Sequence, residues 1–405
     1  MPRPNLELAD IFRQHGQAYR DAHKLTLQQL RVMRAIEVCR TAALGGHVEQ
    51  GSDCQHQLIA YNSCRNRHCP KCQNGERAKW LQCRSAELLP VEMRFQVLAP
   101  VLPCCFTVPE PVARIALFNP QVVYGILFAT ASQTLLTIAA DPKHLGAAIG
   151  FFGILHTWGQ NLLHHPHVHF VVPGGGLSPD RQRWTGCAPG FFLPVRVLSR
   201  LFRRLFIEAL EQAFSQQKLR LPPELEALKD ASAFAQYLSP LREIEWVVYA
   251  KPPFGGPQQA LDYLGRYTHR VAISNERLLS DANGEVTFLW KDYRHKNKQK
   301  ARPMTLSSDE FMRRFLLHTL PAGFQRIRHF GFLANRHRKD KLALCRKLLA
   351  NPITELLPQP DQCRQLLPAV VESKQKLCPN CGTGVMIRIG VIPGFRWPVV
   401  APDSS

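Results

Sequence analysis

The sequence predicts an α+β protein, and three observations carry that reading. Helical patterning runs over Leu25–Ala43 and again over Leu198–Phe214, the second a basic amphipathic stretch. Short runs rich in β-branched residues, at Pro166–Val172 and Glu245–Ala250, read as strands. Cysteine and positive charge mark opposite parts of the chain: a dense Cys/His/Arg cluster lies before residue 90, and a basic stretch ending in a second Cys pair runs from residue 291. At 405 residues the chain can hold two or three domains. The composition divides it into 1–90, 91–300 and 301–405, the last expected to be a basic helical region.

Lys and Arg number 51 against 31 Asp and Glu, a net charge of +20. Such an excess repels itself unless a polyanion offsets it, so nucleic acid is the expected partner and an acidic membrane surface its rival. Twelve of those net charges fall in residues 291–350, where sixteen Lys and Arg face Asp292, Asp309, Glu310 and Asp340. The run Lys291–Arg302, with Lys296, Lys298 and Lys300, is too polar for a core. With Tyr293, Phe330 and Phe332 interleaved, it reads as a groove for a phosphate backbone with aromatic stacking platforms. Apolar stretches such as Leu145–Leu155 are too short to span a bilayer, and the N-terminus has no signal-peptide core. A cytoplasmic protein with no membrane partner and no small-molecule substrate is expected. There the 13 cysteines stay reduced, and their clusters point to metal rather than disulfides.

The first cluster reads Cys54-x9-Cys64-x3-His68-Cys69-x2-Cys72. A Cys-x2-Cys knuckle beside further thiols and an imidazole suits tetrahedral Zn²⁺, with Cys54, Cys69, Cys72 and either Cys64 or His68 as ligands. Arg65 and Arg67 beside it would favour ionised thiols and a DNA backbone. The pair Cys378-Pro-Asn-Cys381 offers half a site, which either joins another pair or stands alone.

In the expected strand after Pro166, alternate side chains share a face, so His167 and His169 point the same way and can grip one divalent ion. A nucleophile for such an ion is found in Gln258–Arg270. Pro257 suits a helix start, and Tyr263 and Tyr267, four apart, would share a helical face. A phenol titrates near ~10 and is a poor nucleophile unless that value falls. Arg266, Arg270 and a nearby ion suit that task.

The order of these motifs resembles a known family. A Cys/His knuckle, Pro-His167-Val-His169 followed by Gly-Gly-Gly-Leu177, Tyr263-Leu-Gly-Arg-Tyr267-Thr-His-Arg270 and Phe330–Arg338 together are similar to the two-tyrosine transposases of the insertion sequence 91 family. These belong to the HUH (His-hydrophobic-His) endonucleases. The similarity covers about residues 30–350. It implies a nuclease core of antiparallel sheet backed by helices in 91–300, preceded by a zinc-binding DNA-recognition domain in 1–90. It implies Mg²⁺ or Mn²⁺ on His167 and His169, with a third ligand for which Gln160 is the candidate. It implies Tyr263 and Tyr267 as nucleophiles that form a 5′-phosphotyrosine on single-stranded DNA at transposon ends and target site, and a nucleoid-associated protein.

The chain departs from the family pattern at two places. Gly51 stands where the family has the first Cys of a Cys-x2-Cys pair, so one zinc ligand is missing. Met93–Cys105 is longer than usual and carries two prolines, which a central strand does not tolerate. These departures define the alternative, a catalytically inactive zinc-bearing DNA-binding protein. A third reading is a metal phosphodiesterase in which the tyrosines are structural.

Overall fold

The computed structural model describes residues 6–73, 101–188, 193–250, 271–291, 301–334, 336, 338–349 and 377–395. Its elements run in chain order from helices α1 (Leu8–Ala22) and α2 (Leu27–Glu37) through strands β1 (Gly46–Gly51), β2 (Gln57–Tyr61) and β3 (Val101–Thr107). Helices α3 (Glu110–Phe118) and α4 (Pro120–Ala140) lead into strands β4 (Gly150–Trp158), β5 (His164–Pro173), β6 (Gly175–Leu177) and β7 (Trp184–Gly186). Helices α5 (Val195–Ser215) and α6 (Ala231–Glu243) precede strands β8 (Val248–Ala250), β9 (Leu278–Ala282), β10 (Glu285–Lys291) and β11 (Ala301–Ser307). Helix α7 (Ser308–Leu316), strand β12 (Ile327–Gly331), helix α8 (Arg338–Leu348) and strand β13 (Met386–Ile392) complete the order. The protein is thus α+β, and the C-terminal third contributes strands as well as the expected helices. Two compact units form, one from Met1–Lys79, His269–Arg313 and Gln359–Ser405, the other from Trp80–Thr268 and Arg314–Pro358.

The second unit is built on an antiparallel sheet of order β12-β4-β5-β3-β8. Alternation sends Phe151 and Leu155 of β4, Val168, Phe170 and Val172 of β5, and Cys104 and Phe106 of β3 to one face. There they meet Leu127, Phe128 and Ala131 of α4 and Phe202, Phe206 and Leu210 of α5. Phe106 packs edge-on against Phe170 and Phe202, with ring centroids 5.7 and 5.0 Å apart. Each such fully buried side chain contributes roughly 1.5–3 kcal/mol. Helix α4 is apolar on all sides and long enough to cross a membrane, but it is mostly buried, as a central core helix is.

Two sequence expectations are corrected here. Val101–Thr107 lies inside the sheet despite Pro103. Strand β8 pairs only with Cys104–Phe106, so among the described residues Pro103 has a neighbour on one side alone and its missing N–H costs no bond to β8. Phe330 and Phe332 are not stacking platforms. Phe330 on β12 stacks against Phe151 at 5.4 Å and joins the core, while Phe332 is buried beside Leu177 and Cys345.

In the first unit, α1 buries Leu8, Ile11 and Phe12. Thr26 begins α2 with a capping box: its hydroxyl accepts from the Gln29 amide at 3.2 Å, and Gln29 Oε1 accepts from the Thr26 amide at 2.9 Å. The helical pattern read to Ala43 stops at Glu37, because the chain turns there and carries Cys39 inward. Strand β1 lies between β2 and β13, both antiparallel to it. A second small sheet, β11-β10-β9, is held to α1 by His15, whose Nε2 lies 2.8 Å from Asp281.

Candidate metal centres

Since one face of the large sheet meets the helices, the other displays the alternate residues. His156 on β4 sits directly opposite His167 on β5, and His169 opposite Ile154. On the far side, Thr107 and Cys105 of β3 flank His167 and His169. The three imidazoles converge, with ring centroids 4.8 Å apart for His167–His169 and His156–His169 and 5.5 Å for His156–His167. One nitrogen from each lies within 4.8 Å of the others, so the three can share one ion. His167 Nδ1 donates to the His165 carbonyl at 2.6 Å, which makes Nε2 the ring's acceptor nitrogen. Trp158 stacks on His156 at 4.8 Å and fixes its plane. Burial pushes the Cys105 thiol up to about 12, so it stays neutral beside the imidazoles.

The pair His167 and His169 was legible in sequence; His156 was not. Gln160, the candidate third ligand, lies in the β4–β5 turn, and among the described His, Cys, Asp and Glu side chains His156 joins the pair. That turn rests on a buried polar layer. The Tyr124 hydroxyl meets His164 Nε2 at 2.8 Å. His318 accepts from Thr157 Oγ1 at 3.2 Å through Nδ1 and donates from Nε2 to the Leu162 carbonyl at 3.0 Å. Burial lowers His318 to about 3 and His164 to about 4, so both are neutral near pH 7.

The first unit carries a second kind of centre. Cys39, Cys64, Cys69 and Cys72 bring four sulfurs together. The separations are 3.6 Å for Cys39–Cys72 and Cys69–Cys39 and 3.5 Å for Cys64–Cys72. A tetrahedron with Zn–S bonds of ~2.3 Å has edges of about 3.8 Å, so the cluster fits zinc. Contacts with the Cys64 and Cys69 thiols hold Cys39 well below the usual thiol range, and contacts with Cys39 and Cys69 raise Cys64. This corrects the expected ligand set. Cys39, from the end of α2, takes the place given to Cys54, and of the two alternatives for the fourth ligand Cys64 joins the group. His68 is buried but is not one of the four, and Cys54 stands instead with Cys378 and Cys381. Arg65 is exposed, whereas Arg67 is half-buried and burial lowers its pKa. Tyr263, Arg266, Tyr267, Arg270, Tyr293, Lys296, Lys298 and Lys300 lie outside the described residues.

Residues 150–341, which include all three histidines, match the family described as "Putative transposase", and residues 11–99 match "Transposase zinc-binding domain". A "Putative transposase y4qJ" of Sinorhizobium fredii is 57% identical over 408 residues, spanning 100% of both chains. The "Transposase for insertion sequence element IS801" of Pseudomonas savastanoi pv. phaseolicola is 30% identical over 302 residues, 74% of this chain and 68% of that one. The chain belongs to the transposases of the insertion sequence 91 family. No solved structure matches it. DNA is therefore the partner of this transposase, which gives its net charge of +20 a purpose. The zinc-binding match and the four-sulfur geometry agree on Zn²⁺ at Cys39, Cys64, Cys69 and Cys72.

Proposed function

We propose that this transposase cuts and rejoins single-stranded DNA, at element ends and at its target, through Tyr263 and Tyr267 beside a divalent ion held by His156, His167 and His169. The observation that carries this reading is the convergence of three imidazoles on the sheet face opposite the core helices. A bound Mg²⁺ or Mn²⁺ would polarise the scissile phosphate and offset charge developing on its oxygens. The chain's own residues supply the rest. His167 is held by the His165 carbonyl and His156 by Trp158, so the ligand set is fixed before DNA arrives. Arg266 and Arg270 lie beside the tyrosines in sequence and favour the phenolate. A tyrosine oxygen attacks phosphorus, the P–O3′ bond breaks, and the leaving 3′-oxygen takes up a proton equivalent to the one the phenol lost. The phosphotyrosine keeps the bond's energy, so a 3′-hydroxyl from another strand can reverse the step. With two tyrosines, one holds an end while the other opens a second strand, as rolling-circle transposition needs.

The inactive alternative drew on Gly51 and on Met93–Cys105. The part of that segment from Val101 on forms β3 in register with β5, which supports the active reading. The test is incubation with labelled single-stranded element ends and Mn²⁺, read on a denaturing gel. A covalent protein–DNA adduct is expected, and it disappears in Tyr263→Phe combined with Tyr267→Phe. Hydrolysis without an adduct, an adduct mapped to Tyr249 or Tyr293, or DNA binding without cutting overturns the proposal.

A further inference from the structure

Cys54, Cys378 and Cys381 lie far apart in sequence, and neither family match reaches the last two. In the first unit they nonetheless meet, with one sulfur of each within 4.8 Å of the others. Cys54 Sγ and Cys378 Sγ are 3.4 Å apart, far beyond a disulfide bond of ~2.05 Å and near the edge of a zinc–thiolate tetrahedron, about 3.8 Å. We propose that these three thiolates form a second zinc site, which pins β13 to β1 and keeps its fourth corner open at Gly51.

The local backbone is shaped for this. Gly382 takes φ +72°, and its N–H donates to the Cys378 carbonyl at 2.8 Å, so the chain turns tightly and presents Cys378 and Cys381 on one side. The Gly384 N–H points at Cys381 Sγ at 3.4 Å, and the Asn380 amide at Cys54 Sγ at 3.7 Å. Donors aimed at sulfur stabilise thiolates, and thiolates bind metal. The two halves are also zipped together without metal. The Ser52 N–H donates to the Val385 carbonyl at 2.9 Å, and the Thr383 hydroxyl donates to Asp53 at 3.1 Å. The pairing Gly51↔Met386 continues that zipper into the sheet.

Gly51 decides the character of the site. A Cβ built there would lie 2.9 Å from Cys378 Sγ and 3.3 Å from Cys54 Sγ, so any side chain at 51 enters the cluster. Glycine supplies no ligand, and among the described residues no fourth His, Cys, Asp or Glu joins the three. Three protein ligands with an exchangeable fourth, a water or a small thiol, make an open zinc site, in contrast to the closed tetrahedron of Cys39, Cys64, Cys69 and Cys72. Cys54 is exposed, so chelators reach this ion first.

The experiment uses the full chain, reduced and zinc-loaded. In a His167→Ala, His169→Ala background, which removes the imidazole site from the count, elemental analysis should find about two zinc ions per chain, and a chromogenic chelator should release them in one fast and one slow phase. Cys378→Ser should remove one ion and the fast phase. Gly51→Cys should keep both ions and slow the fast phase by roughly tenfold or more, since a fourth thiolate closes the tetrahedron. If Cys378→Ser does not fold, the wild type is alkylated with iodoacetamide before and after the fast phase. Cys54, Cys378 and Cys381 should be protected before it and modified after it. One zinc per chain, two zincs retained in Cys378→Ser, unprotected thiols in loaded protein, or a Cys54–Cys378 disulfide overturns the second site. A fast phase unchanged in Gly51→Cys overturns the open corner.

Discussion

The Cys39 centre and the His156 centre each gather metal-binding side chains from separated elements, yet they are built in opposite ways. At the first, Cys39, Cys69 and Cys72 are buried, and four ligands of one kind leave no room for another. At the second, three imidazoles stand on a sheet face, His167 and His169 half-buried, with coordination positions left for something else. A closed thiolate tetrahedron is suited to holding a fold, and an open imidazole set to meeting a substrate phosphate. The difference predicts that losing the first costs structure and losing the second costs chemistry.

The largest effect should come from the closed centre. Cys39→Ser should release its zinc and lower Tm by roughly 10 °C or more, because structural zinc carries much of a small domain's folding energy. Calorimetry with elemental analysis checks this, and an unchanged Tm would erase the contrast. The open centre should behave in reverse. His167→Ala or His169→Ala should reduce cleavage of single-stranded DNA by roughly 10³-fold or more while Tm and DNA affinity hold. His156→Gln, which keeps most of the buried volume, should do the same. Cleavage that persists in EDTA would show that the imidazoles hold no working ion.

A smaller effect sharpens the comparison from beneath the open centre. His318 and His164 are held neutral, at about 3 and about 4, against an unfolded value near ~6.5. Between those values the unfolded chain binds more protons, so their contribution is complete above about 6.5 and is lost as pH falls through the window. Tm of the second unit should therefore drop on acidification from pH 7 to 5, and His318→Phe should flatten the dependence. The smallest effect concerns affinity alone. Replacing Lys296, Lys298 and Lys300 with Ala should flatten the salt dependence of DNA binding by roughly 0.7 for each phosphate no longer neutralised, with cleavage geometry untouched. An unchanged slope would make the run a solvated surface.

How far each centre was legible follows from where its ligands sit. Cys64, Cys69 and Cys72 are near neighbours, so spacing alone exposes them. Cys39 is a lone cysteine at a helix end and gives no local signal. His167 and His169 obey the period of a strand, whereas His156 joins them only through the register of β4 with β5, which no single segment encodes. Pro103 misleads because the rule against proline in central strands applies to each pairing rather than to a whole strand, and among the described residues β8 pairs with β3 only at Cys104–Phe106. Proximity in sequence draws Phe330 and Phe332 toward a basic groove. Their alternation and packing put them inside, while the charge belongs to their neighbours.

The pairing of β13 with β1 has a consequence during synthesis. Cys54 leaves the ribosome 324 residues before Cys378. At ~5–20 residues per second that interval is about 16–65 s, and through it β1 has one unpaired edge. The β1–β2 hairpin therefore waits, open to mispairing with another nascent chain, until β13 has been made. A message cut short upstream of β13 would yield a zinc-binding module with an uncapped strand. Proteases and chaperones could recognise such a product before it met DNA.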